Sequence, residues 1–131
     1  MNLPENDYQI LKLTDVFFDQ YPNPPYVELL QKRKRAYTCI LFQTHYGYFI
    51  CVPYRTEISH KYAYRFKNSK RSLQHKSGFD YSKIVIIVKT EYIDTKDALI
   101  DKDEFNETML NLEKIKVEEQ IICRENQLLT H

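Results

Sequence analysis

The sequence predicts an α+β domain in which a twisted antiparallel sheet curls into a partial barrel and packs against a long C-terminal helix. Two apolar runs rich in residues that favour strands, Tyr37 to Thr44 and Tyr48 to Tyr54, flank a turn that contains Gly47. This pattern is typical of a β-hairpin. From Asp103 to about Arg124, acids in the first turn precede apolar residues that recur at helical spacing on one stripe, which we expect to be buried: Phe105, Met109, Leu112, Ile115 and Ile122. At 131 residues, we expect one domain spanning residues 1–131.

The N-terminal part supplies a strand and a short helix. Tyr8 to Leu13 alternates as a half-buried strand does, and Thr14 is placed to cap a helix from Asp15 to Gln20. The run YPNPP that follows ends this helix, because prolines at such density cannot continue it.

The middle of the chain has less regular patterns. Between Arg55 and Ser77 the sequence is polar and basic without clear periodicity, which predicts a long loop of functional interest with room for a helical turn. After Gly78, the β-branched run from Ile84 to Val88 predicts a strand, and Tyr92 to Ile93 starts another.

Cysteine usage and hydropathy point to the cytoplasm. Three cysteines are an odd number, and two of them, Cys39 and Cys51, lie in apolar strand patterns, so we expect buried free thiols rather than disulfides. No CxxC or Cys/His spacing predicts a metal site. No stretch approaches the length of a membrane span, and the N-terminus lacks a signal-peptide pattern, so we expect no membrane association.

The formal net charge of +1 hides a strong segregation of charge. Residues 32–89 contain thirteen Lys and Arg but two acids, whereas residues 91–125 contain eleven acids and five basic residues. Tyrosines and phenylalanines are interleaved with the cations of the basic segment, and this combination suits both the phosphates and the unstacked bases of RNA. An ordinary solvated surface is the alternative interpretation.

The segment after the second hairpin strand carries the candidate chemistry. Metal-free RNA cleavage needs a proton acceptor near the 2′-hydroxyl, cations on the phosphate oxygens and an acid for the departing 5′-oxygen. Side chains of these types follow the strand, and antiparallel pairing brings the start of the partner strand beside them. The predicted catalytic residues are Thr56, Arg55, Arg35, His60 and Lys61.

A wider set of residues is predicted to contact RNA through cations, hydroxyls or aromatic rings. This set consists of Lys32, Arg33, Lys34, Tyr54, Ser59, Tyr62, Tyr64, Arg65, Lys67, Lys70, Arg71, Lys76 and Lys83. Each residue also has a structural interpretation. Arg55 could pair with Glu57 or Asp80, and Tyr62 and Tyr64 could be packing residues. The cations could hold backbone phosphates only.

Four blocks of sequence, in order, resemble toxins of type III toxin–antitoxin systems, in particular the TenpN branch of the ToxN/AbiQ superfamily. They are VPYRTEISHKYAY (Val52 to Tyr64), SGFDYSKIVII (Ser77 to Ile87), EYID (Glu91 to Asp94) and DEFN (Asp103 to Asn106). The resemblance implies an SH3-like partial barrel and a metal-independent, sequence-preferring endoribonuclease that needs no cofactor. Its products would carry 2′,3′-cyclic phosphate and 5′-hydroxyl ends.

The resemblance also implies partners and roles. A small RNA antitoxin, a repeated pseudoknot, would inhibit the toxin directly and assemble with further toxin copies, and the substrate would be cellular or phage RNA in growth arrest or phage defence. Thr56 stands where the family has a catalytic Ser, and Phe17 stands where some members have Tyr. Two other hypotheses remain: a non-catalytic RNA-binding module and a toxin that acts on a protein.

Overall fold

The computed structural model describes residues 8–22, 38–44, 47–94 and 98–126. The strands are β1 (Tyr8–Leu13), β2 (Thr38–Gln43), β3 (Phe49–Arg55), β4 (Ala63–Arg65), β5 (Gly78–Asp80), β6 (Val85–Ile87) and β7 (Ile93–Asp94). The helices are α1 (Asp15–Gln20), α2 (Lys70–His75), α3 (Lys102–Leu110) and α4 (Leu112–Asn126), and single 3-10 turns cover Tyr81–Lys83 and Thr90–Tyr92. No helix in these segments is long and apolar enough to cross a membrane.

The described residues form a seven-stranded, open antiparallel sheet with a short N-terminal helix and C-terminal helices, which confirms the predicted α+β class. Its order is β4-β5-β3-β2-β1-β7, and β6 also pairs with β3. The predicted strands of the hairpin are confirmed as β2 and β3, and β1 and α1 have the predicted bounds. The turn residues 45 and 46 lie outside the described residues.

Strand β3 is the centre of the sheet because it has partners along both edges. It pairs with β2 on one side, and on the other side its first half pairs with β6 and its last two residues pair with β5. Pro53 lies between the last pair with β6 and the first pair with β5, where its missing N–H costs no ladder hydrogen bond. The sheet thereby delivers Arg55 beside β5.

Both faces of the sheet are buried, which explains why β2 and β3 are continuously apolar rather than alternating. One face packs on Phe17 and Phe18 of α1, together with Tyr92. The opposite face packs on Ile115 of α4. Alternate residues of β2 and β3 therefore point into the two core clusters on opposite faces of the sheet.

The region predicted as a long loop contains β4 and α2. Ser69 caps α2, since its hydroxyl accepts a hydrogen bond from the Ser72 N–H while the Ser72 hydroxyl accepts one from the Ser69 N–H. Strand β5 approaches β4 closely at Gly78, where a Cβ atom would lie 2.1 Å from the Tyr64 carbonyl oxygen. Helix α2 is the helical turn that the prediction allowed within this loop. The loop prediction is wrong at β4, because a three-residue strand has too little pattern to be predicted from sequence.

The predicted single C-terminal helix is two helices. Asn111 ends α3, and its side-chain amide donates to the Glu107 carbonyl, a local hydrogen bond that competes with the helical pattern. Asp101, two residues before the predicted start, caps α3 by accepting from two backbone N–H groups. Phe105, predicted on the buried stripe, is 43% exposed, whereas Ile115 is fully buried as predicted.

The cysteine prediction is wrong for two of the three residues. Cys39 and Cys51 are joined by a disulfide between β2 and β3. They are diagonal neighbours in the strand register, and their Cα atoms are 5.8 Å apart, within the range that a disulfide bridges. Cys123 is a free, half-buried thiol.

Candidate active site

Asp80 is the centre of the candidate site. It ends β5 opposite β4, and its side chain is fully buried. Arg55 Nη1 donates to its Oδ2 at 2.7 Å, and the Ser82 hydroxyl and backbone N–H donate to its Oδ1 at 2.6 and 2.9 Å. The pairing of β5 with the end of β3 therefore fixes both ends of the Arg55–Asp80 ion pair.

The hydrogen bonds keep Asp80 ionised despite its burial. Burial alone raises the pKa of a carboxyl group, because the charged form loses its water. Here the Ser82 hydroxyl and Arg55 donate to the carboxylate and outweigh that cost, so the pKa of Asp80 lies below its ordinary value. A fixed buried anion results, and it holds Arg55 in place.

His60 is the second side chain held by Asp80. Its Nε2 lies 3.2 Å from Asp80 Oδ1 and 3.3 Å from the Ser82 hydroxyl, while its Nδ1 accepts a hydrogen bond of 3.1 Å from the Tyr62 N–H. This network assigns the neutral tautomer with the proton on Nε2. Both ring nitrogens are thus engaged, and His60 must exchange one hydrogen bond before it can contact a ligand through either nitrogen.

Thr56 follows Arg55 directly and is half-buried. Its hydroxyl has no hydrogen-bond partner among the residues that the structure describes, so it is available to a ligand. The turn after it is held by the C-terminal end of α2: the N–H groups of Glu57 and Ile58 donate to the carbonyls of His75 and Lys76. Glu57 adopts a positive φ of 56° there, a conformation rare for a residue with a side chain.

A cationic cleft adjoins this cluster. It has a volume of about 430 Å³, and four cations line it: Lys61, Arg65, Lys67 and Lys114. Arg65 joins the cleft to the Asp80 cluster, because its Nη2 donates to the His60 carbonyl. Glu107 and Glu118 lie among the same walls and offset part of the positive charge.

Two of the tyrosines predicted to contact RNA face inward instead. Tyr64 is 8% exposed, and its hydroxyl donates to Glu107 at 3.0 Å. Tyr54 donates to Glu104 at 2.8 Å and accepts from Arg71 Nε at 2.9 Å. Their hydroxyls anchor α3 to the sheet, and their rings pack on Phe66.

The remaining predicted residues are dispersed. Tyr62 is 52% exposed, and Lys61 Nζ lies 5.4 Å from its ring centroid, so this ring is open to a base. Ser59 is exposed beside it, and Lys83 is half-buried on the 3-10 turn after β5. Exposed cations at both ends of α2 complete the described set: Lys70, Arg71 and Lys76. Lys32, Arg33, Lys34 and Arg35 lie outside the described residues.

Sequence analysis named Asp80 only as a structural partner of Arg55, a pairing that the structure confirms, and it did not include Asp80 or Ser82 among the site residues. One signal was present: Asp80 is one of two acids within the basic residues 32–89, and an isolated acid among cations is a natural centre for an ion-pair cluster. Lys114, from the acidic half, was also missed as a wall of the cleft. Within the described residues, no group of three or more His, Cys, Asp or Glu side chains could hold a metal ion.

Comparisons with models of known protein families, with curated protein sequences and with solved structures find no match to this chain.

Proposed function

We propose that this chain is a metal-independent, sequence-preferring endoribonuclease, the toxin of a type III toxin–antitoxin system of the ToxN/AbiQ superfamily. The observation that supports the proposal is that Arg55, which directly precedes Thr56, and His60 both bind Asp80. Arg65, one of four cations that line a cleft, donates to the His60 carbonyl and connects the cleft to this cluster. The resemblance of the segments around Thr56 and Asp80 to TenpN-like toxins supports the same assignment. On this proposal, the twist of the open sheet produces the SH3-like partial barrel of that family.

The reaction joins the 2′-oxygen of a ribose to the adjacent phosphorus while the bond from phosphorus to the 5′-oxygen breaks. A base takes the 2′-hydroxyl proton, and an acid protonates the departing 5′-oxygen. Arg55 is only partly used by Asp80, since its guanidinium has five donor hydrogens, and it can bind the charged phosphate oxygens. Thr56 would donate to the same phosphate, and His60, Lys61 and Arg35 are the candidates for proton transfer.

On this proposal, the cations of the cleft bind the inhibitor that the family resemblance implies. A small repeated pseudoknot RNA would lie along Lys61, Arg65, Lys67 and Lys114, cover the Thr56 hydroxyl and gather further toxin copies. Cellular or phage RNA would occupy the same cleft as the substrate. The family resemblance, rather than the cysteines, is the basis for placing the protein in the cytoplasm, in growth arrest or phage defence, because Cys39 and Cys51 form a disulfide.

A second candidate function is a non-catalytic RNA-binding module on the same fold. One observation favours it: both ring nitrogens of His60 are engaged, and Arg55 is paired with a buried carboxylate. In that case, the cations would bind backbone phosphates and no proton would move. The two candidates differ in one measurable property, the cleavage of RNA without a metal.

The test uses purified protein, chelated metals and a mixed-sequence RNA, with analysis of both product ends. Wild type is expected to leave 2′,3′-cyclic phosphate and 5′-hydroxyl ends. Thr56→Ala is expected to lower the rate by a factor on the order of 100 or more, while Thr56→Ser restores it because the hydroxyl returns. Thr90→Ala, an exposed threonine on another turn, is the matched control.

Two results would count against the proposal in different ways. If Thr56→Ala cuts RNA as fast as wild type, the role assigned to Thr56 is wrong. If wild type binds RNA but leaves it intact, the enzyme assignment fails and the binding module replaces it.

A further inference from the structure

A second cavity lies at the opposite end of β3 from Arg55. It has a volume of about 260 Å³ and lies between the start of β3, the end of β2 and the second half of α4. Phe42, Tyr48 and Ile50 form its apolar wall, and Glu119 and Cys123 come from α4. Ile50 and Arg55 are five residues apart, so the two sites are separated by about 16 Å along the strand.

Glu119 is the unusual group of this cavity. Its side chain is 1% exposed, and within the described residues its hydrogen-bond partner is the Cys123 thiol at 3.7 Å. A thiol is a weak donor, whereas a carboxylate has about four lone-pair sites to satisfy. Burial raises the pKa of Glu119 to about 7. A ligand with strong N–H donors would supply the hydrogen bonds that the protein does not.

The cations of the cavity decide which kind of donor fits. Lys116 and Arg124 line the same cavity, so a cationic amine would meet two positive charges there. A neutral ring with N–H groups avoids this repulsion, and a phosphate attached to it would be attracted to both cations. A nucleotide combines such a ring with a phosphate.

Guanine is the base whose edge matches a carboxylate. Its N1–H and N2–H point in the same direction and can donate to the two carboxylate oxygens together, whereas adenine presents an acceptor at N1. The volume lies just below the range of about 300–1,000 Å³ that holds drug-sized ligands, which suits one base and its phosphate at the rim.

We propose that this cavity is a guanine-nucleotide site in which Glu119 accepts from the guanine edge and Lys116 and Arg124 hold the phosphate. The base can come from a free nucleotide or from a guanosine at the end of an RNA, since both offer the same groups. The site is separate from the Asp80 cluster, so a test of this proposal does not depend on whether the protein cleaves RNA.

The first experiment titrates GMP, IMP and AMP into the wild-type protein by calorimetry. IMP lacks the N2 amino group, so it is expected to bind about tenfold more weakly than GMP, and AMP about 100-fold more weakly or not at all. Guanosine without phosphate is expected to lose about tenfold, and Lys116→Ala should reduce that difference. Equal affinity for the three nucleotides, or no binding of GMP or of the RNA below, would overturn the proposal.

The second experiment removes the carboxylate and tests the source of the base. Glu119→Gln is expected to weaken GMP binding by about tenfold or more, whereas Glu113→Gln, exposed on the same helix, should leave it unchanged. Equal GMP binding by Glu119→Gln, with a native unfolding midpoint, would refute the assignment of Glu119. A short RNA that ends in guanosine is compared with one that ends in adenosine. If that RNA binds through Glu119 while GMP does not, the source is RNA.

Discussion

Glu119 is expected to make the folded protein less stable as pH rises. Burial of its carboxyl group raises the pKa from 4.5 to about 7, and the Cys123 hydrogen bond and the Lys116 charge offset only part of that effect. The folded state therefore keeps a proton that the unfolded chain releases between these two pH values. By linkage, stability is greatest below pH 4.5 and falls as pH rises through the pKa of the folded state.

The magnitude follows from the difference between the two pKa values. A difference of about 2.5 pH units corresponds to a loss of about 3 kcal/mol in the free energy of unfolding, and this loss is nearly complete at pH 8. About 2.5 kcal/mol of the loss occurs between pH 5 and pH 8. Glu119→Gln cannot ionise, so the free energy of unfolding of wild type should fall by this amount relative to the variant. Other titrating groups cancel in that difference.

Urea denaturation of both proteins at pH 5 and pH 8 measures this effect. Glu113→Gln is the matched control, because Glu113 is exposed on α4 and its replacement should not change the pH dependence. The reasoning is refuted if wild type and Glu119→Gln lose stability in parallel between the two pH values. Such a result would mean that water reaches the carboxylate in the folded protein.

Two other predictions concern the close approach of β5 and the cationic cleft. Gly78→Ala should lower the free energy of unfolding by about 1–3 kcal/mol, because its Cβ would collide with the Tyr64 carbonyl. Thr90→Ala, at an exposed turn, is the control, and a Gly78→Ala urea midpoint equal to that of wild type would contradict the argument. Lys67→Ala should reduce the slope of log affinity for single-stranded RNA against log salt by about 0.7, the contribution of one phosphate contact. Lys102→Ala, which lies outside the cleft, should leave that slope unchanged, and an unchanged slope in Lys67→Ala would remove Lys67 from the RNA contacts.

The elements that could be predicted from sequence are those with local signals. Strand β1 and helix α1 are separated by Thr14, whose backbone is extended at the helix start, and prolines follow the helix. The strands of the β2–β3 hairpin are long enough to show as apolar runs. In contrast, β4 and β5 have three residues each, and their position depends on pairing with each other and with β3. Such distant pairing leaves no periodicity in so short a segment.

The candidate site also combines residues that are close in sequence, which could be predicted, with residues brought in by distant strand pairing, which could not. Arg55, Thr56 and His60 are close in sequence, so their grouping could be predicted from the segment that follows β3. Asp80 reaches them from 25 residues beyond Arg55 through the pairing of β3 with β5. Nor could the alternation of Tyr62 and Tyr64 predict that one ring is exposed and the other buried, because Tyr62 precedes β4 and only Tyr64 lies in the sheet.

The acids of the C-terminal helices contact the basic segment directly. Glu104, Glu107 and Glu118 accept hydrogen bonds from three tyrosine hydroxyls of the basic half, and these contacts hold α3 and α4 against the sheet. The raised pKa of Tyr64 and Tyr81, caused first by burial and then by these carboxylates, keeps both hydroxyls protonated as donors. Segregated charge in this sequence therefore reflects docking between its halves as well as a surface for polyanions.

Helix α4 forms a wall of both the cationic cleft and the second cavity. Lys114 and Glu118, four residues apart, face the cleft, while Glu119 and Cys123, also four residues apart, face the second cavity. Ile115 is fully buried on the sheet beside these two rows, and Leu112 and Ile122 pack against the same core cluster. Because these residues dock both rows on one helix, a change in the docking of α4 would alter the cation density of the cleft and the burial of Glu119 together.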